Sequence, residues 1–237
     1  MSGEETALDR AHAAMEAAPD DSAARLGWYA RLAASELYLM LAREAEGDRI
    51  EPRIFPLDEG PFVLVYDRED RLARFAGGPT PYAALPGRRI VEMLAGQGIG
   101  LGVNLGEAPS QMLLPAEAVE WFARTLATRP AEAAETPREL GPPDALPERL
   151  LRALDARLAT AEGLAAQAWL AAARYPGGTA THLLAFVGAV PGAEETLARA
   201  AGEALTFSGL DEGTLDVTFL PQDHVLTARL ARVALRI

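Results

Sequence analysis

The chain has no cysteine and no lysine; all 22 of its basic residues are arginine. Without cysteine there is no disulfide framework, no thiol nucleophile and no thiolate metal site. Without lysine there is no Schiff-base amine and no P-loop lysine to reach a nucleotide phosphate. Positive charge is also short, with 34 acids against those arginines and a formal net charge of −12. A nucleic-acid binder carries a basic stripe that replaces counterions on phosphates. The nearest approach here is the pair Arg88-Arg89, so nucleic acid is not an expected partner. No apolar run reaches the ~18 residues that a membrane span needs. The most apolar stretch, Leu26 to Ala42, is broken by Arg31 and Glu36. The opening Met-Ser-Gly-Glu-Glu lacks the basic and apolar regions of a signal peptide. A cytoplasmic protein without a membrane segment is the expectation.

What is present suits a soluble globular chain: 237 residues, 49% hydrophobic and 24% charged, enough for one large domain or two small ones. Thr6-Ala-Leu-Asp9 reads as a capping box opening a short helix. A second helix is predicted over residues 22–46, with Leu26, Tyr29, Ala33, Leu37, Met40 and Leu41 at helical spacing. Trp28, Tyr29 and Tyr38 make it rich in aromatics, which gives a core stripe a competing reading as a partner-binding face. Phe62 to Tyr66 is predicted as a strand, paired with Leu72 to Ala76 across a polar hairpin loop Asp67–Asp70. Gly87 to Gln97 reads as a helix, Ile99 to Leu105 and Met112 to Leu114 as strands. Pro115 suits the first turn of the next helix, whose buried face is Val119, Phe122 and Leu126.

Composition shifts between residues 129 and 146. Pro130, Pro137, Pro142 and Pro143 alternate there with Glu132, Glu135, Glu139 and Asp144. Such a stretch reads as a stiff, self-repelling linker, and it divides the chain into domains 1–128 and 147–237. In the second domain, residues 164–175 fit either a strand or a helix. His182 to Gly188 reads as an apolar strand, Glu194 to Leu205 as a helix and Leu215 to Phe219 as a half-buried strand. Asp223 reads as the cap of a last helix. The element order predicts an α/β (α+β) protein: two small domains, each a short mixed or antiparallel sheet packed with helices, in the second domain on one face.

The candidate chemistry is thin. Gly96-Gln-Gly98-Ile-Gly100-Leu-Gly102 has neither the spacing nor the strand–glycine–helix order of a phosphate-binding loop. Those glycines more simply end a helix and let a strand approach its neighbour. His12, His182 and His224 fall in three separate elements and form no zinc pattern, so no metal is assigned. Ser110 and Ser208 lack a nucleophile elbow. Asp58, Glu59, Asp67, Glu69 and Asp70 read as solvated turn acids rather than a catalytic pair. Asn104, the single asparagine, lies in an apolar strand and must be hydrogen-bonded if buried; it is expected to tie down the loop 106–111.

Three stretches carry a resemblance. They are Gly60-Pro-Phe-Val-Leu-Val-Tyr-Asp67 with Arg71-Leu-Ala-Arg-Phe75; Gly87-Arg-Arg-Ile-Val-Glu-Met-Leu94 leading into Gly98-Ile-Gly-Leu-Gly-Val-Asn-Leu-Gly106; and Met112-Leu-Leu-Pro-Ala-Glu-Ala-Val119. Over roughly residues 50–128 the chain resembles the N-terminal domain of the enhanced-serine-sensitivity protein B (SseB) family. Residues 147–237 resemble that family's C-terminal domain less specifically. The resemblance implies an intracellular two-domain α/β protein with no catalytic residues to carry over. The same short name is used for a secretion translocator with long apolar helices and heptads. This chain has neither, so a secretion role is discounted.

The leading expectation is therefore a non-enzymatic cytoplasmic module that binds another protein, with Trp28, Tyr38, Trp121 and the loop 104–111 as contact elements. The alternative is a small-molecule binder for an amino acid or acidic metabolite, with Arg74, Arg88 and Arg89 holding a carboxylate in a cleft between domains. No cofactor is expected, and the apolar second helix allows a homodimer.

Overall fold

A computed structural model of the chain describes residues 5–47, 49–127, 131–133, 136–143, 146–176, 178–208 and 215–237. The chain divides into two compact units, Met1–Thr125 and Leu126–Ile237. Each combines helices with a mixed sheet, as the element order predicts.

The first unit begins with α1 (Ala7–Ala17), whose predicted capping box is formed: the Thr6 hydroxyl accepts from the Asp9 amide and the Asp9 carboxylate accepts from the Thr6 amide. Helix α2 spans only Ser22–Ala34 and is followed by strand β1, Glu36–Met40. The predicted helix over 22–46 is thus two elements. Leu37, Leu39 and Met40 fit a strand as well as a helix, and pairing on both sides decides for the strand. Next come β2 (Phe55–Leu57), β3 (Gly60–Tyr66), α3 (Glu69–Ala76), β4 (Tyr82–Pro86), α4 (Gly87–Leu94), β5 (Gly100–Val103), β6 (Met112–Leu114) and α5 (Ala116–Ala127). The second half of the predicted hairpin, residues 72–76, is therefore helix. Glu69 and Asp70 lie in its first turn, where acids suit the helix dipole, and Gly77 closes it in the left-handed conformation at φ 72°.

The sheet order is β4-β1-β3-β5-β6, with β2 also on β3. Among the described residues of this sheet only the β3–β5 pair is parallel. Phe62 to Tyr66 are all buried, so both faces of β3 are covered. Leu64 and Tyr66 pack with Met40 and with Leu72 of α3; that side is the outer face below. Alternation turns Val63 and Val65, each 0% exposed, to the opposite face. The glycine run acts as the sequence reading expects. Gly96 and Gly98 take positive φ, while Gly100 and Gly102 lie beneath the Phe62 ring and the Leu64 and Leu105 side chains.

The second unit contains β7 (Ala131–Glu132), β8 (Glu139–Gly141), α6 (Glu148–Ala159), β9 (Ala165–Arg174), β10 (Ala180–Ala189), α7 (Glu194–Phe207), β11 (Leu215–Leu220), α8 (Val225–Val233) and β12 (Leu235–Arg236). The ambiguous 164–175 stretch is strand: nine of the ten residues of β9 have antiparallel partners in β10. Stretch 129–146 is more than a linker, because β7 pairs with β11 and β8 with β9. Its residues 129, 130, 134, 135, 144 and 145 lie outside those described. One face packs on α6 and α7 through Leu154, Leu197 and Phe186. The other face packs on Leu226 and Leu230 of α8. The sheet is thus covered on both sides, not on the one face expected of this domain. His224, not Asp223, caps α8, its imidazole accepting from the Leu226 amide.

Candidate functional site

The densest polar chemistry is a buried clasp in the first unit. Asp9 of α1, Asp67 and Arg71 at the start of α3, and Asn104 and Ser110 after β5 come from three distant segments. Arg71 sits at the centre. One guanidinium nitrogen donates to Asp67 Oδ1 at 2.8 Å and to Asp9 Oδ1 at 3.0 Å; the other donates to Asp9 Oδ2 at 2.5 Å. The Thr6 hydroxyl donates to Asp67 Oδ2 at 2.6 Å. Ser110 donates to Asp9 and accepts from the Asn104 side-chain amide. The Asn104 side-chain carbonyl accepts from the Asp67 amide at 3.0 Å. Asn104 adopts a positive φ of 51°, which asparagine tolerates better than most residues. That turns the chain out of β5 into the loop holding Ser110. The sequence expectation that Asn104 ties down the following loop is met.

The clasp is closed. Asn104 and Ser110 are 0% exposed, Arg71 5% and Asp9 7%. Two carboxylates face one guanidinium, and neutral donors supply the rest. Burial pushes the Asp9 carboxyl up. Hydrogen bonds from Arg71, Ser110 and the Thr6 amide outweigh it and hold the group well below the usual carboxylate range. Among the described residues Ser110 bonds Asp9 and Asn104 and no histidine, so its hydroxyl serves to hold these segments together.

A pH prediction follows from Asp9. Its folded pKa lies below the unfolded value of about 3.9, so its contribution is complete above that pH and is lost on acidification. The first unit should weaken steeply below about pH 4. Asp9→Asn should flatten that slope while lowering stability at neutral pH, as read by urea unfolding across a pH series. A wild-type slope retained in the variant would refute the assignment.

The residues singled out in the sequence land as follows. Trp28 is 1% exposed and stacks edge-on with Tyr29, which in turn meets Trp121 and Phe122 of α5 at about 5 Å. The aromatics of α2 therefore face the core, and Trp28 is not a surface contact. Trp121 keeps an exposed edge at 36%. Arg74 donates to Asp70 and Glu107 and Arg89 to Glu92, so these two are engaged within the unit. Arg88 is the second residue of α4, next to Arg89. Arg68 and Arg74 in turn draw the Asp70 carboxyl down to about 2. Of the turn acids, Asp67 is not solvated: its side chain is 4% exposed. The i,i+4 spacing of Asp67 and Arg71 was the available signal, obscured by reading 72–76 as a strand. Among the described residues no group of three or more histidines or acids could hold a metal ion, and no helix is long and apolar enough to cross a membrane.

Two surface features remain. Tyr38 of β1 and Tyr82 of β4 meet edge-on at 5.4 Å on the outer face. The Tyr82 hydroxyl bonds Glu69, which raises its pKa. Tyr38 is raised by burial, then by Glu36 and Glu69. Tyr38, Glu69 and Ala73 line one open depression. In the second unit a cavity of about 360 Å³ is walled by Leu158, Ala161, Ala165, Phe186 and Leu197.

No curated protein and no solved structure matches the chain. Residues 8–121, which include Asp9, Asp67, Arg71, Asn104 and Ser110, match the SseB protein N-terminal domain. That match spans a little under half of the chain and identifies residues 8–121 as similar to an SseB N-terminal domain.

Proposed function

We propose that the chain is a non-enzymatic binding or regulatory module that recognises another protein through the β4 edge of its first unit. The observation that carries this reading is the open strand beside the paired tyrosines. Among the described residues β4 pairs only with β1. Leu41 donates to the Pro81 carbonyl and Gly87 to the Ser35 carbonyl. The alternation of an antiparallel ladder then turns the backbone groups of Tyr82 and Ala84 outward. Pro86 ends that row, having no donor to offer. An extended partner segment can add to such an edge, its main chain giving affinity and its side chains specificity. Tyr38, Tyr82, Glu36 and Glu69 flank the row and favour a basic or aromatic side chain at the neighbouring position. The clasp supports the reading from the other side, since its titratable groups are consumed in holding the fold.

The test compares proteins captured by the tagged wild-type chain with those captured by Tyr82→Ser/Glu69→Gln, from a lysate of the source cells. A partner retained by the wild type and lost by the variant, with unchanged melting of the chain, is the expected outcome. Identical captured sets would sink the edge reading.

The second reading, a small-molecule binder, is favoured by the alanine-walled cavity of the second unit rather than by the arginines. A ligand binding only the native state raises the melting temperature. A metabolite panel that leaves that temperature flat would count against it.

A further inference from the structure

Helix α3 divides the outer face of the first sheet. Beyond its C-terminal end lies a second exposed area, separate from the β4 edge. Phe75 of α3 meets Phe55 of β2 at 6.4 Å. Leu57, two residues along β2 and on the same face as Phe55, borders a shallow cavity of about 320 Å³ with Leu113 of β6. Leu57 is 40% exposed, and Phe75 and Leu113 are each 37% exposed. Register explains why the area is flat. Phe62 pairs with Gly100 and Leu64 with Gly102, and Leu113 pairs with Gly102. The two glycines let Phe62, Leu64 and Leu105 lie down over β5 rather than stand up from it.

The ends of this apolar strip carry opposite charge. At one end the Arg53 guanidinium lies over the Phe55 ring, 5.2 Å from its centre. At the other end Asp58 and Glu59 border the cavity. Arg53 and Glu59 each stand three residues from Pro56. A two-fold axis in the plane of the face, crossing β2 at Pro56, maps each end onto the other. It sets Phe55 against Leu57 of a second copy and Arg53 against its Asp58 and Glu59. The strip is complementary to itself, as an isologous interface must be. Pro56 also denies β2 a backbone donor at its centre, which disfavours edge pairing and leaves the face as the means of contact.

We infer that the first unit self-associates through this strip, forming a two-fold dimer centred on Pro56 with Arg53 of each copy on Asp58 and Glu59 of the other. The occupant is a second copy of this chain, and the contact is independent of the strand-edge reading above.

The test is the mass of the full chain in solution, by sedimentation velocity over a concentration series. The monomer is 25.2 kDa, and twice that mass is expected. Leu57→Asp and Arg53→Glu should each raise the dimer dissociation constant roughly tenfold or more. Both sites are exposed, so circular dichroism and melting should be unchanged. The reciprocal charge exchange Arg53→Glu/Glu59→Arg should recover most of the loss, which a merely destabilising substitution would not. A wild-type chain that stays monomeric at its highest soluble concentration overturns the inference and leaves the strip to a different protein. A dimer indifferent to Leu57→Asp and Arg53→Glu places the contact elsewhere and overturns it equally. Loss in both single variants without recovery in the exchange refutes the two-fold register.

Discussion

Arg71→Ala is expected to cost the first unit about 3–5 kcal/mol, the range for breaking a buried ion pair by removing one partner. The reason lies in what remains. Asp9 and Asp67 would stay in a site where their side chains are 7% and 4% exposed, without the cation between them. Each would then have to protonate or draw water inward. Asn104 and Ser110 would keep their bond to each other, but of the links from α1 to the start of α3 only the Thr6–Asp67 hydrogen bond would remain. Because native domains hold only about 5–15 kcal/mol, this loss should be plain at room temperature. The measurement is urea unfolding followed by tryptophan fluorescence in a Trp169→Phe background. Trp28 and Trp121 then report the first unit alone. The midpoint should fall sharply, while a probe of the second unit should not move. Arg71→Met should be nearly as costly, since it fills the space but leaves both carboxylates unpaired. Arg71→Met with Asp9→Asn and Asp67→Asn should recover part of the loss, because no buried charge remains. An unchanged midpoint in Arg71→Ala would show that the clasp contributes little.

The second large effect is expected at Gly87. Its amide donates to the Ser35 carbonyl at 2.9 Å, extending the β4–β1 pairing into the first residue of α4. At that point α4 runs against the end of α2. A Cβ added to Gly87 would stand 2.0 Å from the Leu32 carbonyl oxygen and 2.9 Å from its carbon. Both are backbone atoms and cannot rotate away, so one helix must shift as a body. Overpacking of this kind costs about 1–3 kcal/mol and sometimes more. Gly87→Ala should sit at or above the top of that range. Gly77→Ala is the matched control: it has φ 72° and nothing within 4 Å of its added Cβ. There only backbone strain acts, about 1–2 kcal/mol. Thermal unfolding of the two variants side by side separates the causes. A Gly87→Ala chain no less stable than Gly77→Ala would contradict the close approach.

Several elements were legible because their signals are local. The capping box at Thr6 and Asp9, proline at the start of α5 and the alternation along β11 each depend on neighbours a few residues away. Leu37 to Met40 show where such signals stop. Their apolar spacing satisfies a helix and a strand alike, and the pairing of β1 with β3 and β4 chose between them. Residues 72–76 misled for a related reason. A short apolar stretch after a polar turn fits a hairpin until Arg71 finds Asp67 one helical turn back and Asp9 across the fold. Trp28 and Tyr29 suggested a surface face because a sequence shows neither the burial of Trp28 nor the α5 aromatics that meet Tyr29.

The sequence by itself determined the exclusions and the class. Absent cysteine and lysine remove whole reaction types wherever the chain folds, and the order of helices and strands places it among α/β proteins. The SseB N-terminal match rests on that same linear texture. Only the tertiary structure decided the clasp, the buried role of Trp28 and the exposed strip from Phe75 to Leu113. Each of these joins residues tens of positions apart. Burial and charge pairing are properties of neighbours in space, and a chain's order fixes those neighbours only after it has folded.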